Sequence, residues 1–463
     1  EQEGEKMETK KKPVKNIVLA EAVGEAVLAL VLRLFGIPFI MQIPLYVFVA
    51  AGIFRMKRQK ERERKKKTEY EEAAAYMEQL LCSSKRLGHL GRAWEDCLPL
   101  CEQGGTMWHL IRRAQEFLKS GEDNTDSGYA DNSGEYRYMD GSGESGASVA
   151  WSACREIHTH ISSRHMILIH EFLCRTEQTG GEITEALDIL LQELQMWKRR
   201  NALFHTRRLW FGRECRIAVC LAVVLCFFSE FVMPADIRAI LYGTVWYKGV
   251  TAAVLALLAG LFLFLDQRLS SDWLDHDTDP QLRWKKQRQM YELVTRKKGG
   301  LRAGAAKKYC RQEVEREFPY WLLTVALYLQ HETVYPALMD SVERTGGIFR
   351  TEVERLITGI YESPASPEPY YRFFEPLDLE EIRSGMRILY AAGNSEYGDI
   401  SRQIRFLVEL NNMIMDRYEQ KKYESEMAGM GIWRQLPMLA GAGKVLFDMA
   451  VVLLAVLQQY AFF

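Results

Sequence analysis

Five long apolar segments divide the chain, and they are spaced as two, two and one along it. Two extended polar stretches with helical character separate these groups. A helix needs about 20 predominantly apolar residues to cross the ~30 Å hydrocarbon core of a bilayer. The pattern therefore predicts an all-α, polytopic membrane protein. The five predicted spans are residues 17–35, 38–54, 215–233, 245–265 and 436–463.

Basic residues border these spans and predict their orientation, because Lys and Arg beside a span stay in the cytoplasm. They precede the first and third spans and follow the second and fourth. Both hairpins then have their two ends in the cytoplasm. The two polar stretches are cytoplasmic, and the C-terminus points outward or ends within the bilayer. The basic residues are Lys10, Lys11, Lys12, Lys15, Arg55, Lys57, Arg58, Lys60, Arg62, Arg64, Lys65, Lys66, Lys67, Arg199, Arg200, Arg207, Arg208, Arg213, Arg268, Arg283, Lys285, Lys286 and Arg288.

Both polar stretches have the periodicity of packed helices. In the first, Tyr76, Leu80 and Leu81 recur at core spacing. Residues 120–149 differ, since they are rich in Gly, Ser, Asp and Glu and contain almost no aliphatic residues. This composition predicts an acidic disordered loop.

A glycine pair predicts a tight turn between two antiparallel helices near the end of the first stretch. Gly180 and Gly181 can adopt the left-handed conformation that ends many helices. Glu182 and Glu185 then favour the start of the next helix, which is basic and leads into the third span. Two interpretations stay open: the acidic helix start is a lever for a motor contact, or the turn only shapes the bundle.

The second polar stretch repeats the plan of the first. The two halves align with two different shifts, so the first copy carries an insertion, which is where the acidic loop lies. A shift of 217 residues aligns Gly181 with Gly398, Glu182 with Asp399, Ile183 with Ile400 and Leu190 with Leu407, and a shift of 244 residues aligns Tyr76 with Tyr320 and Ala93 with Ala337.

The order of these features resembles the F family of type II secretion and type IV pilus inner-membrane platform proteins, particularly the Tad-like, Gram-positive branch. The residues that carry the resemblance are Arg175–Arg200 in the first copy, and Glu317–Glu343 with Asp378–Ile404 in the second. It covers most of the chain from about Thr68 onward. The chain departs from the family in its acidic insertion and in Tyr397, which stands where the first copy has Gly180.

The resemblance implies two cytoplasmic helical-bundle domains, no catalysis and no cofactor. It implies contacts with a hexameric secretion ATPase and with pilin-like subunits, in a bacterial cytoplasmic (inner) membrane. We expect a homo-oligomer, with Gly180, Gly181, Glu182, Gly398 and Asp399 as candidate partner-contact residues. The predicted domains are residues 1–54 (transmembrane hairpin), 55–214 (bundle 1), 215–266 (transmembrane hairpin), 267–433 (bundle 2) and 434–463 (transmembrane segment).

Composition adds two constraints. The formal net charge of −1 gives no long-range attraction to nucleic acid, so the basic borders indicate anchoring to anionic membrane lipid. The nine cysteines include no CxxC pair and are expected to be reduced. Cys97 and Cys101 have no partner ligands nearby, which disfavours zinc. The first span carries Glu21, Glu25 and Arg33 and indicates a retained signal-anchor rather than a cleaved signal.

The sequence contains fragments of nucleotide and metal motifs but predicts no such site. Residues 141–146 match GxGxxG, yet their flanks belong to the acidic loop rather than to a strand and a helix. Residues 441–444 read GAGK, without the spacing or the Ser/Thr of a phosphate loop. His158, His160, His165 and His170 crowd one predicted helix, where packed or solvated side chains are favoured over metal ligands.

Charged residues inside the predicted spans are expensive, at roughly 2.5 kcal/mol or more each on insertion scales. Glu25, Lys444 and Asp448 are therefore expected inside the bundle or near an interface. Lys444 and Asp448 are four residues apart and can neutralise each other on one helix. The alternative is that they meet another subunit's span or a passing pilin helix.

We interpret the chain as the assembly platform of a pilus or secretion filament, which couples a cytoplasmic ATPase to pilin insertion. The alternative is a polytopic transporter or channel component. Transporters usually place most of their mass in the membrane, whereas most residues of this chain lie in the two predicted cytoplasmic stretches. A sensor or membrane enzyme would need a recognisable catalytic module, and the sequence predicts none.

Overall fold

A computed structural model describes residues 39–123, 145–161, 163–179, 184–269, 273, 280–295, 301–342, 345–394 and 397–461. Over these residues the protein is all-α, which confirms the predicted fold class. The helices are α1 (Phe39–Leu87), α2 (Leu90–Cys97), α3 (Thr106–Asp123), α4 (Ser145–His160), α5 (Arg164–Thr179), α6 (Thr184–Val232), α7 (Ala235–Gly243), α8 (Val245–Arg268), α9 (Pro280–Thr295), α10 (Leu301–Tyr328), α11 (Val334–Val342), α12 (Gly347–Glu362), α13 (Glu368–Arg372), α14 (Glu380–Gly393) and α15 (Tyr397–Ala461), with 3₁₀ turns at Leu98–Leu100 and Glu375–Leu377.

The boundaries of several helices follow from single residues. Gly88 ends α1 in a left-handed conformation with a φ of 72°, and its N–H donates to the Ser84 carbonyl at 2.9 Å. Pro234 precedes α7 and accepts the Arg238 N–H at 3.0 Å. Thr244 closes α7 with its hydroxyl, which donates to the Leu241 carbonyl at 2.6 Å.

The described residues form two compact units. The first, here called the apolar unit, contains residues 39–65, 203–269 and 424–461. The second, here called the core unit, contains the described residues of 66–202 and 272–423. The division falls inside α1, α6 and α15, so each of these helices contributes residues to both units.

The core unit has one continuous hydrophobic core built from both polar stretches of the sequence. Trp94 and Tyr76 come from the first stretch, Phe318 and Phe349 from the second, and all four side chains are fully buried. The two repeated bundle domains are therefore not confirmed. Periodicity indicates that each helix buries one face. In the structure, the buried faces of helices from both polar stretches pack into one shared core.

Ion pairs connect the two stretches within the core unit. The Arg175 guanidinium in α5 pairs with Glu332 at 2.5 Å and also with Asp340. Arg200 in α6 is buried, pairs with Glu193 at 2.5 Å, and reaches the Asp416 carboxylate of α15 at 3.4 Å. These contacts join halves of the sequence that lie more than 150 residues apart.

In the apolar unit, α6, α8 and α15 are long and apolar enough to cross a membrane. They contain the third, fourth and fifth predicted spans. The predicted span at residues 38–54 is helical from Phe39 as part of α1, but α1 is not among these three helices. The span at residues 17–35 lies outside the described residues.

Small residues let the helices of the apolar unit approach closely, as in many membrane bundles. A Cβ on Gly52 of α1 would lie 2.2 Å from Cδ1 of Leu263 in α8. A Cβ on Gly441 of α15 would lie 3.2 Å from Cα of Ala222 in α6. The second approach brings α15 against α6 one turn before Lys444.

The predicted acidic loop is shorter than residues 120–149. Helix α3 continues to Asp123 and α4 begins at Ser145, so both ends of the predicted loop are helical. Buried apolar residues at Ala114 and Ala150 anchor these two helices in the core. Residues 124–144, which include the first residues of the GxGxxG match, lie outside the described part of the chain.

Candidate functional site

A cluster of polar side chains, most of them buried, lies among α6, α7, α8 and α15 in the apolar unit. Its residues are Ser229, Glu230, Tyr242, Tyr247, Thr251, Lys444 and Asp448, here called the Lys444 cluster. Three of the four helices are those that are long and apolar enough to cross a membrane. Ionisable groups at such depth are a functional-site hypothesis by default.

Lys444 lies at the centre of the cluster, and its side chain is 0% exposed. Its Nζ contacts Oδ1 of Asp448 at 2.5 Å, the Tyr247 hydroxyl at 3.2 Å and Oε1 of Glu230 at 3.5 Å. The ammonium also lies 4.6 Å from the centroid of the Tyr247 ring. An aromatic face attracts a desolvated cation, so the ring replaces part of the lost hydration.

The Asp448 carboxylate accepts hydrogen bonds from three different residues. The Ser229 hydroxyl donates to Oδ2 at 2.6 Å, and the Tyr247 hydroxyl donates to Oδ1 at 3.0 Å. Lys444 supplies the third. An ionised carboxylate is an acceptor with about four sites. The surroundings of Asp448 therefore fit the charged form.

Glu230 is the second carboxyl group in the cluster and is 4% exposed. The Tyr242 hydroxyl donates to its Oε2 at 2.9 Å. Around Oε1, the Lys444 ammonium and the hydroxyls of Tyr247 and Thr251 each lie 3.5 Å away. These are long distances, so Oε1 is far less well satisfied than either oxygen of Asp448.

Apolar side chains close the cluster at the α7 side. Met233, Ile237, Leu241 and Val451 are buried together with Tyr247 in one small hydrophobic cluster. The Phe447 ring stacks on Tyr247 with a centroid distance of 6.2 Å. Helix α7 thus covers the polar groups, which are excluded from water on this side.

The cluster combines one ammonium with two carboxyl groups. Burying an ion costs several kcal/mol unless a partner and further hydrogen bonds compensate it. Lys444 and Asp448 compensate each other, and this agrees with the prediction from their four-residue spacing that they meet on one helix. The second carboxyl group, Glu230, has no second cation in the cluster.

Reasoning from the sequence missed Glu230, Tyr247 and Ser229. One signal was present, since Glu230 is a carboxyl residue inside the third apolar segment. Tyr247 and the other tyrosine of the cluster, Tyr242, carried no signal, because aromatic residues are common near the ends of spans. Glu25, the other predicted intramembrane charge, lies outside the described residues.

Of the five candidate partner-contact residues, the structure describes Gly398 and Asp399. Gly180, Gly181 and Glu182 lie outside the described residues. Gly398 and Asp399 lie in the first turn of α15, which begins at Tyr397. Glu185 lies in the first turn of α6 and is exposed.

The four histidines lie on two helices rather than one, because α4 ends at His160 and α5 begins at Arg164. The buried His170 bonds through Nε2 to the Tyr76 hydroxyl at 2.7 Å and through Nδ1 to Nε2 of His158 at 2.9 Å. Burial lowers the pKa of His158 to about 4 and also lowers the pKa of His170. These two rings are packed and neutral at pH 7.

The GAGK residues and Cys97 both lie within helices of the structure. Residues 441–444 lie inside α15, and Lys444 is engaged in the ion pair. Cys97 is buried in α2, and burial raises its pKa to about 12, so its thiol is a poor metal ligand or nucleophile. No group of three metal-ligating side chains forms within the described ranges.

Comparison with known proteins gives no match: no protein-family model, curated protein or solved structure is significantly similar to this chain.

Proposed function

We propose that this protein is a membrane assembly platform for a type II secretion or type IV pilus-like filament of the Tad type. In this proposal a cytoplasmic ATPase acts on the core unit, and the spans guide pilin-like subunits out of the bilayer. The protein itself neither binds nor hydrolyses ATP. It works as a homo-oligomer in a bacterial inner membrane.

The observation that supports this proposal most is the continuity of α1, α6 and α15. These helices have 49, 49 and 65 residues, and each contributes to both the core unit and the apolar unit. A force applied to the polar end of such a helix has a covalent, hydrogen-bonded route to its apolar end. A platform that converts ATPase motion into movement within the membrane needs such a route.

Exposed apolar residues on α15 provide a surface for another membrane helix. Leu446, Leu453 and Leu457 are all more than half exposed, whereas Val451 is 8% exposed. Either lipid or a pilin-like transmembrane helix covers such residues in a membrane. In the proposal, part of this surface receives the apolar segment of a pilin-like subunit.

The Lys444 cluster favours a second candidate, a transporter or channel component. Ionisable residues inside spans mark many ion and substrate pathways. Two features of the structure weigh against it as the main function. The core unit holds the larger hydrophobic core, and buried apolar residues of α7 pack beside the charges of the cluster.

Site-specific photo-crosslinking in the native host tests the proposal. A photoreactive residue at Leu446 or Leu453 should form an adduct with a small single-span pilin-like subunit. The same residue at Val451, on the same helix but buried, is the matched control and should react only within the chain. Adducts with lipid alone at both exposed positions would contradict the platform function.

The ATPase contact needs a separate test. Glu185→Lys reverses an exposed charge in the first turn of α6, and Glu95→Lys, at an exposed position in α2, is its control. Association with the secretion ATPase should weaken more for Glu185→Lys if the helix start is the motor contact. Equal association of both variants and the wild type would mean that this end of α6 is only structural.

A further inference from the structure

We infer that the Lys444 cluster is a proton-binding site within the membrane, in which Glu230 carries the exchangeable proton. The proposed site consists of residues of the Lys444 cluster, and its existence does not depend on the proposed filament function. It gives a role to a carboxyl group that the Lys444–Asp448 pair leaves uncompensated.

The charges of the cluster do not balance when all three groups are ionised. Lys444, Glu230 and Asp448 have side chains that are 0%, 5% and 3% exposed, so water screens none of their charges. One ammonium balances one carboxylate. With both carboxyl groups ionised the cluster would hold an unpaired negative charge, which is costly in so apolar a place. A proton on one carboxyl group removes it.

The hydrogen bonds identify which carboxyl group takes the proton. Asp448 has three close donors in Lys444, Tyr247 and Ser229, at 2.5, 3.0 and 2.6 Å. Tyr247 and Ser229 each have a single hydroxyl hydrogen, and Asp448 is the nearer acceptor of each. For Ser229 the other acceptor is the Cys226 carbonyl, at 2.8 Å. Oε1 of Glu230 is left with contacts of 3.5 Å. Asp448 therefore keeps the charge, and Glu230 holds the proton.

A protonated Glu230 fits its surroundings. Its Oε2 still accepts from the Tyr242 hydroxyl at 2.9 Å. A hydrogen on Oε1 faces the oxygens of Tyr247 and Thr251, which can both accept. The nearby Cys226 on α6 is buried and contributes no charge as a thiol. The titratable and charged groups around Glu230 are thus Cys226 on α6, Tyr242 and Arg238 on α7, Tyr247 on α8, and Lys444 and Asp448 on α15. Arg238 is part-exposed, and its charge acts on the Tyr242 hydroxyl.

Loss of the proton changes the contacts between helices. The proton passes to water, and the Glu230 carboxylate then competes with Asp448 for the ammonium of Lys444. Because Glu230 is on α6 and Asp448 is on α15, movement of Nζ between them alters the packing of these two helices. The cluster is thereby able to link proton binding to the position of α15.

Infrared difference spectroscopy on the full chain in lipid nanodiscs tests this inference. A protonated carboxylic acid has a carbonyl stretch that a carboxylate lacks. The wild type should show this band in neutral buffer and lose it in alkaline buffer. Glu230→Gln should lack the band, and Glu214→Gln, which changes a part-exposed glutamate paired with Arg434 in the same unit, should keep it.

A second variant tests the charge count itself. Asp448→Asn leaves one ammonium and one carboxyl group, so Glu230 should ionise to pair with Lys444. The band should disappear from Asp448→Asn although Glu230 is unchanged. Persistence of the band in Asp448→Asn, its persistence in Glu230→Gln, or its absence from the wild type at neutral pH would each overturn the inference.

The same samples distinguish a bound proton from a bound metal cation. At fixed pH, exchange of sodium chloride for choline chloride should leave the wild-type band unchanged. A sodium-dependent loss of the band would mean that the cluster binds a metal cation, and the proton assignment would be wrong. Monodisperse elution and an unchanged helical circular dichroism spectrum establish that each variant is folded.

Discussion

The Tyr247 hydroxyl of α8 lies 3.0 Å from Oδ1 of Asp448 in α15, although 201 residues separate them in the sequence. The same hydroxyl lies 3.2 Å from the Lys444 ammonium. Tyr247 thus accepts from the cation and donates to the anion of one ion pair. Through it, two helices that are apolar enough to cross a membrane share a buried polar contact.

Removal of the central cation should destabilise the apolar unit. Lys444→Met leaves two buried carboxyl groups without a cation, and breaking a buried pair in this way typically costs about 3 to 5 kcal/mol. Thermal unfolding of the full chain in nanodiscs measures the effect. The double variant Lys444→Met/Asp448→Leu should be more stable than Lys444→Met, because it removes the orphaned charge as well.

A surface pair is the control for that experiment. Lys421 in the core unit pairs with Glu315 at 3.0 Å, and its side chain is 55% exposed. Lys421→Met should change stability by about 1 kcal/mol or less, since water and salt screen exposed pairs. An equal loss of stability in Lys421→Met and Lys444→Met would contradict the burial argument.

Gly347 begins α12 with a φ of 61°, which L side chains rarely adopt. A Cβ there would lie 2.3 Å from Oε1 of Gln287 and 3.0 Å from Cδ1 of Trp284, both in α9. Gly347→Ala should therefore lower the free energy of unfolding by about 1 to 3 kcal/mol. Chemical denaturation, followed by Trp fluorescence, measures this loss.

Gly304 in α10 supplies the matched control, because a Cβ added there would meet no atom within 4 Å. Gly304→Ala should raise stability by about 0.5 to 1 kcal/mol, through the lower entropy of the unfolded chain. If both glycine variants changed stability in the same direction, the strain assigned to position 347 would be wrong.

The paired histidines predict that the core unit loses stability in acid. Burial holds the pKa of His158 at about 4, whereas an unfolded histidine titrates near 6.5. The unfolded chain therefore binds more protons below about pH 6.5, and stability falls as the pH decreases from there towards 4. Between about pH 6.5 and pH 5 the loss should be about 1 to 2 kcal/mol.

Denaturation of the full chain at several pH values measures this dependence. His158→Gln should reduce its slope, while His160→Gln, at an exposed position two residues later, should leave the slope unchanged. A slope that His158→Gln does not alter would mean that other groups cause the acid sensitivity.

Membrane topology can be tested at exposed positions in both units. Tyr361→Cys in the core unit, at a residue 75% exposed, probes the side that the charge pattern predicts to be cytoplasmic. Ile240→Cys in α7, at a residue 67% exposed, probes the opposite side. In a background without the native cysteines, an impermeant maleimide should label Ile240→Cys in intact cells. Labelling of Tyr361→Cys before permeabilisation would reverse the predicted orientation.

The spacing of residues along the sequence predicted the positions of single helices and a contact between two residues of one helix. The apolar lengths predicted the helices that contain the third to fifth spans, and the four-residue spacing predicted the contact between Lys444 and Asp448. These features depend on residues that are close together in the chain.

The rest depends on how helices pack, which periodicity does not specify. Periodicity indicated buried faces in both polar stretches, but not that Trp94 and Phe349 belong to one core. It could not identify Glu230 and Tyr247 as neighbours of Lys444, because 214 and 197 residues separate them from it. The break between α4 and α5 was missed since residues 158–170 contain neither Gly nor Pro.

The platform function is tested most directly by an in-frame deletion of the gene in its native host. We predict that pilin-like subunits then stay in the membrane, that surface filaments are lost, and that the wild-type gene restores them. The hexameric ATPase and the pilin-like subunits should be present at normal levels in the deletion strain. Filaments assembled at wild-type levels without this protein would contradict the platform function.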